Sequence, residues 1–232
     1  MNTFVHRYEL DTSRPTAKTV ARDVVVRGLL PAAALWALIT GVGLLIVGPL
    51  GDLPQGDAVE QWFESNRTDT LTPVSMIVSG AGMTQVVIAI TVITVALLWW
   101  RTRQWWFALV PALAVSLQAL VFFFAGLTVG RERPDVSHLD DSPPTTSYPS
   151  GHTGASSALW FTLAMLAQRI TNPVLRRVVT VVCVLMPFLV GTARLYRGMH
   201  APSDVVMALV NGAVCMVIAW AYLRRDVSRV RS

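Results

Sequence analysis

The chain has 232 residues, of which 53% are hydrophobic and 14% are charged, with a formal net charge of +5; an average soluble protein carries about 25% charged residues. The length suits one domain, and no internal repeat, low-complexity tract or linker argues for a second. Segments such as 83–100 have no polar face to turn toward water, which excludes a soluble all-α protein with a large core.

Residues 1–27 read as a polar, basic lead, loosely ordered or lying along an anionic membrane surface. No secretory signal peptide is expected, because this charged lead runs into an apolar stretch too long for one. Six stretches follow that can span about 30 Å of hydrocarbon, which takes about 20 helical residues: 28–50, 74–100, 104–127, 151–169, 174–193 and 202–223. The expected architecture is all-α, a polytopic six-transmembrane-helix bundle. Residues 1–27 form its cytoplasmic N-terminal segment, 28–223 the membrane domain and 224–232 a basic cytoplasmic tail.

Between the spans, 51–72 is acidic and contains Trp62 and Phe63. It reads as a short amphipathic helix at the outer surface, at a lipid entrance, or as a plain solvated connector. Trp99, Trp100, Trp105 and Trp106 flank the turn at 101–104 as an aromatic belt. Residues 128–150 form a long loop with Pro134, Pro143, Pro144 and Pro149 and the acids Asp135, Asp140 and Asp141. Cys183 and Cys215 both lie in apolar runs and read as buried, unpaired thiols.

Charge sets the orientation. With the N-terminus in the cytoplasm, the inner segments hold fourteen basic residues and the outer ones five, Arg67, Arg131, Arg133, Arg194 and Arg197. The positive-inside rule therefore places both termini in the cytoplasm of a plasma-membrane protein. It accounts for the inner arginines and leaves the outer ones to be explained.

Four of the outer five belong with three polar clusters: Arg131-Glu132-Arg133-Pro134, Tyr148-Pro149-Ser150-Gly151-His152, and Arg194 with His200 and Asp204. Ser150 is a good N-cap for the fourth span, Gly151 lets a ligand approach the backbone, and the free N–H groups of a first turn bind anions. His152 would face the same spot. Pro202 suits the first turn of the sixth span, with His200 at its mouth and Asp204 one turn later. An imidazole with a carboxylate on its far nitrogen has its tautomer fixed and its positive charge stabilised. Arg133 and Arg194 carry the fork that matches phosphate oxygens. Taken singly, each cluster could be a capped helix start, a structural His–Asp pair or an arginine reaching lipid headgroups. The topology puts all three at one end of the bundle.

These residues resemble the type 2 phosphatidic acid phosphatase superfamily. Its three motifs are a lysine, six residues, then Arg-Pro; Pro-Ser-Gly-His; and Ser-Arg, five residues, His, three residues, Asp. They correspond here to Arg133-Pro134, to Pro149-Ser150-Gly151-His152, and to Arg194, His200 and Asp204 with the spacing intact. The resemblance covers roughly residues 60–222. It implies a mechanism without metal or cofactor, in which His200 attacks phosphorus, Asp204 orients it, and His152 protonates the leaving group and then activates water. Arg133, Arg194, Ser150 and the Gly151 N–H would hold the phosphate oxygens. Two positions depart from the pattern: Ala193 replaces the serine, and Gly126 stands where the lysine belongs. The only lysine, Lys18, is on the other side of the membrane. Arg131 is the expected substitute as a phosphate ligand and Arg197 a second choice.

The expected partners are the bilayer and a lipid phosphate: a polyprenyl diphosphate such as undecaprenyl diphosphate, phosphatidylglycerophosphate or phosphatidic acid. No nucleic-acid partner is expected. Alternatives are a phosphotransferase using the same phosphohistidine and a catalytically weakened lipid-binding relative. A haloperoxidase sharing the phosphate site is disfavoured by the membrane spans and the small size.

Overall fold

The computed structural model of the chain describes residues 3–10, 14–53, 55–141 and 146–223. The basic tail at 224–232, and Pro143 and Pro144 of the long loop, lie outside the described residues. Ten α-helices and no strand occur among those described: α1 Arg7–Leu10, α2 Ala17–Val24, α3 Leu30–Val47, α4 Gln55–Ser65, α5 Leu71–Gly80, α6 Thr84–Thr102, α7 Trp105–Val129, α8 Gly151–Ala167, α9 Pro173–Tyr196 and α10 Pro202–Ala221. A π-helical turn at Val25–Leu29 joins α2 to α3, so the first apolar helix runs unbroken from Ala17 to Val47.

Among the described residues, five helices are long and apolar enough to cross a membrane: Ala17–Val47, α6, α7, α9 and α10. The fourth expected span, α8, has 17 residues and a buried polar content, Thr153, Ser156, Ser157 and Thr162, that only neighbouring helices can shield. It packs against α7, α9 and α10. The expected span 74–100 divides in two, because the chain turns at 81–83, where the Gly82 N–H bonds to the Ser79 carbonyl at 3.0 Å. Large apolar side chains on the outer faces, among them Ile77, Ile93, Leu127 and Val174, stay exposed, as suits a lipid solvent.

Local signals set the helix ends. Thr16 caps α2, Asn172 caps α9 by accepting from the N–H groups of Val174 and Leu175, and Pro173 and Pro202 occupy first turns where a missing N–H costs nothing. Gly130, at φ 65°, ends α7 by donating its N–H to the Gly126 carbonyl. α10 begins with the Asp204 carboxylate accepting the Ala201 N–H at 2.9 Å.

Two apolar clusters hold the bundle. One, at the end away from the polar motifs, joins Tyr8, Phe107 and Trp220: the Tyr8 ring stacks on Phe107 at 4.4 Å and meets Trp220 edge-on. This corrects the expectation of a loose lead at 1–27, since Tyr8 is buried and its hydroxyl donates to the Trp220 carbonyl. The tryptophan belt is likewise partial: Trp99 and Trp100 are exposed, whereas Trp106 is buried and its carbonyl accepts from the Tyr222 hydroxyl. The other cluster packs Ile39, Leu117, Val121 and Tyr148 nearer the motifs. α4 forms as the expected short helix, Trp62 exposed and Phe63 edge-on to Tyr196. Both cysteines are buried and free.

α8 and α10 approach so closely that a Cβ on Gly212 would lie 2.3 Å from the Ser157 Cβ and 2.6 Å from the Gly154 carbonyl oxygen. Small residues at such crossings let helix backbones meet in a membrane. Gly212→Val is therefore expected to destabilise the detergent-solubilised protein by about 1–3 kcal/mol, the usual cost of overpacking, measurable as a lower thermal midpoint.

Candidate active site

The three polar clusters meet at one end of the bundle because the loop at 130–150 is stitched to the helix ends. The Ser147 N–H donates to the Arg131 carbonyl at 2.9 Å, the Ser150 N–H to the Asp204 carbonyl at 3.2 Å and the Leu139 N–H to the Arg197 carbonyl at 3.1 Å. Tyr148, fully buried after Ser147, donates its hydroxyl to the Ile39 carbonyl on α3 at 2.7 Å. The Tyr148–Pro149 peptide bond is cis.

His200 is 4% exposed, and its Nδ1 lies 2.8 Å from the Ser147 carbonyl oxygen. That acceptor assigns the ring proton to Nδ1 and leaves Nε2 with its lone pair. The Asp204 carboxylate is 3.7 Å from Nδ1, so it does not take that proton directly. It accepts instead from the Ser147 hydroxyl at 2.5 Å, from the Ala201 N–H at 2.9 Å and from Arg131 at 2.6 Å. Asp204 is thus linked to His200 through Ser147, a residue that none of the three motifs contains. Burial lowers the His200 pKa from its ordinary value while Asp204 opposes that shift.

Arg133 and Arg194 lie beside this histidine. Arg133 donates Nη1 to the carbonyl of Met199, the residue before His200, at 2.7 Å, and burial lowers its pKa. Arg194 is 4% exposed, and its Nη1 donates to Asp140 at 2.6 Å and to the Ser79 hydroxyl at 3.0 Å. Its buried Nε has no acceptor among the described residues. A buried donor left unpaired costs roughly 1–3 kcal/mol, a cost that a bound oxyanion removes. Asp140 also receives Arg197 Nε at 2.9 Å. Burial works to raise the Asp140 pKa, but Arg197 and Arg194 outweigh it and hold the carboxyl below the usual range.

Both expected substitutes for the missing lysine are engaged elsewhere. Arg197 spends its other nitrogens on the Thr72 and Leu139 carbonyls and the Ser75 hydroxyl. Arg131 faces Asp204, Ser203 and Asp52. Gly126 has no room to spare: a Cβ there would sit 3.0 Å from the Thr146 hydroxyl.

At the start of α8, Ser150 is fully buried and caps the helix as expected, its hydroxyl paired with that of Thr153 at 3.0 Å. A Cβ on Gly151 would meet the Phe122 ring at 3.1 Å. The backbone N–H groups of Gly151 and His152 make no hydrogen bond among the described residues, which leaves them for an anion. Arg194, His200, Asp140 and Arg133 all lie within electrostatic reach of His152.

A family model described as the PAP2 superfamily matches residues 105–228. The chain belongs to the PAP2 superfamily. Two solved PAP2-like structures resemble it. The transmembrane PAP2-type phosphatidylglycerolphosphate phosphatase of Bacillus subtilis is 18% identical, with TM-score 0.69, covering 83% of this chain and 94% of that one. LpxE of Aquifex aeolicus is 20% identical, with TM-score 0.55, covering 70% of this chain and 92% of that one. No curated protein matches the sequence. The shared fold is that of a multi-pass membrane protein with the PAP2 helix arrangement.

Beside the PAP2 motifs lies a polar cavity of about 380 Å³ bordered by Asp52, Asp57, Glu60, Arg131 and Arg133. Glu60, 8% exposed, has its pKa raised to about 7 by burial and by Asp57. A carboxyl whose folded pKa exceeds its unfolded one costs stability as pH rises through that interval. Glu60→Gln is therefore expected to melt higher than wild type at pH 8.5, by roughly 1–3 kcal/mol, and alike at pH 4; thermal unfolding at the two pH values checks this.

Proposed function

We propose that this protein is an integral-membrane lipid phosphatase working through a phosphohistidine on His200. The observation that carries the reading is the Nδ1 contact to the Ser147 carbonyl, which leaves Nε2 its lone pair on a ring that feels the positive charges of Arg194 and Arg133. The substrate is a lipid bearing a phosphomonoester or diphosphate; likeness to the Bacillus subtilis protein, a phosphatidylglycerolphosphate phosphatase, supports that class. The fourteen-to-five division of basic residues supports cytoplasmic termini and a site on the extracytoplasmic face.

In the first half-reaction His200 Nε2 attacks phosphorus and the bond from phosphorus to the lipid oxygen breaks. His152, protonated, gives its proton to the departing oxygen. Arg133, Arg194 and the Gly151 N–H stabilise the charge on the equatorial oxygens, and the Ser147–Asp204 unit holds the imidazolium that forms. In the second half-reaction neutral His152 takes a proton from water. The resulting hydroxide displaces His200 and releases inorganic phosphate. The arginines supply positive charge throughout, so the scheme needs no metal.

Purified protein is expected to release phosphate from defined lipids, and His200→Ala to lose about 10³-fold or more in rate. Arg133→Ala and Arg194→Ala should each lose about 10²–10³-fold, as for a removed oxyanion contact. A chelator should leave the wild-type rate unchanged. The rate should follow a bell in pH, because one histidine must be neutral while the other is protonated. Equal phosphate release by wild type and His200→Ala would overturn the reading.

A further inference from the structure

Sequence spacing places Arg131 among the phosphate ligands, yet four of its five N–H donors are committed to protein acceptors. Nε donates to Asp52 Oδ1 at 2.7 Å and Nη2 to the Asp52 carbonyl at 3.0 Å. Nη1 donates to the Ser203 hydroxyl at 2.7 Å and to Asp204 Oδ1 at 2.6 Å. We propose that Arg131, aimed by Asp52, is a positioning residue that holds the Asp204–Ser147 unit and through it the tautomer of His200. The inference rests on the phosphohistidine reading above.

Asp204 has no exposed surface, so its two oxygens depend on the three donors that reach it, Arg131, Ser147 and the Ala201 N–H. Two of these hold Oδ2; Arg131 alone, of the three, holds Oδ1. Without it the carboxylate keeps a buried oxygen with no donor and is free to turn. The Ser147 hydroxyl then loses its fixed acceptor, and the Ser147 carbonyl that reads the Nδ1 proton keeps only the backbone bond from the Ser147 N–H to the Arg131 carbonyl. An attacking Nε2 requires that proton to stay on Nδ1.

Asp52 supplies the aim. It stands in the link from α3 to α4, outside the matched family segment, where Gly51, Asp52 and Leu53 all have positive φ, 58°, 65° and 57°. Side-chain-bearing residues rarely adopt that conformation, and it persists only where surrounding contacts impose it. Here the Asp52 N–H bonds back to the Ile46 carbonyl at 2.8 Å, and the curl turns both the carboxylate and the carbonyl of Asp52 toward one edge of the guanidinium. The Asp52 side chain is 58% exposed, so its pairing adds little by charge alone. Its contribution is angular. A lysine at 131 presents one point charge and cannot span Asp52, Ser203 and Asp204 together.

The test separates positioning from phosphate binding. Arg131→Ala should lower kcat at least tenfold while the inhibition constant for vanadate, a phosphate mimic, stays within about threefold of wild type. Arg133→Ala should weaken vanadate at least tenfold. Asp52→Asn should lower kcat by a smaller factor, and Arg131→Lys should recover only part of the loss. Nitrogen-15 NMR of His200 should show Nδ1–H in wild type and a mixture of tautomers in Arg131→Ala. If Arg131→Ala does not fold, Arg131→Lys and Asp52→Asn carry the same comparison. Loss of vanadate affinity in the Arg131 variants, matching Arg133→Ala, would overturn the proposal. So would wild-type kcat in both Arg131 and Asp52 variants, or an unchanged His200 tautomer. A wild type that neither releases phosphate nor binds vanadate would instead sink the phosphatase reading, and the NMR comparison would still decide the positioning role.

Discussion

Asp204 is a carboxylate with no exposed surface at the first turn of a helix that crosses the bundle, and a buried charge of that kind must be met by donors from every side. Four separate stretches of chain supply or organise them. The turn before α10 offers the Ala201 N–H, the motif loop offers Ser147, the segment after α7 offers Arg131, and the link after α3 orients Arg131 through Asp52. The same carboxylate begins α10 and fixes the loop that reads His200. Helix capping, loop closure and the setting of the His200 ring are therefore one electrostatic requirement rather than three.

Most of the bundle was legible because lipid-facing helices announce themselves by length and apolarity. The stretches that became α3, α7, α9 and α10 needed no more than that. The stretch 151–169 also became a helix, α8, although its interior is polar where other helices surround it. Hydropathy failed elsewhere. The stretch 74–100 kept its hydropathy through the turn at 81–83, because small apolar residues hide a break. Tyr8 lies in a charged neighbourhood, and its burial depends on Phe107 and Trp220, about a hundred and two hundred residues away.

At the site, the residue types with chemistry of their own were legible: two histidines, an aspartate and two arginines at fixed spacing. Those that act through geometry were not. Ser147 works by its backbone carbonyl as much as its hydroxyl, Asp52 through a backbone curl, and Asp140 by lying between two arginines from another helix. Arg131 shows the same limit from the other side. Its position two residues from Arg133 suggested a shared task; both arginines border the same polar cavity, but Arg131 spends its donors on Asp52, Ser203 and Asp204.

Gly126 and Thr146 bear on how such a chain can change. The loop has settled against α7 where the family places a lysine, with the Thr146 hydroxyl within 3.0 Å of the space a Cβ would take and 3.3 Å from the Gly126 carbonyl. A side chain at 126 needs the Thr146 hydroxyl to give by a few tenths of an ångström, and Thr146 is one residue from Ser147. A substitution at 126 is therefore felt beside the carbonyl that contacts His200. Positions 126 and 146 are thus coupled, and a larger residue at the first is best paired with a smaller one at the second.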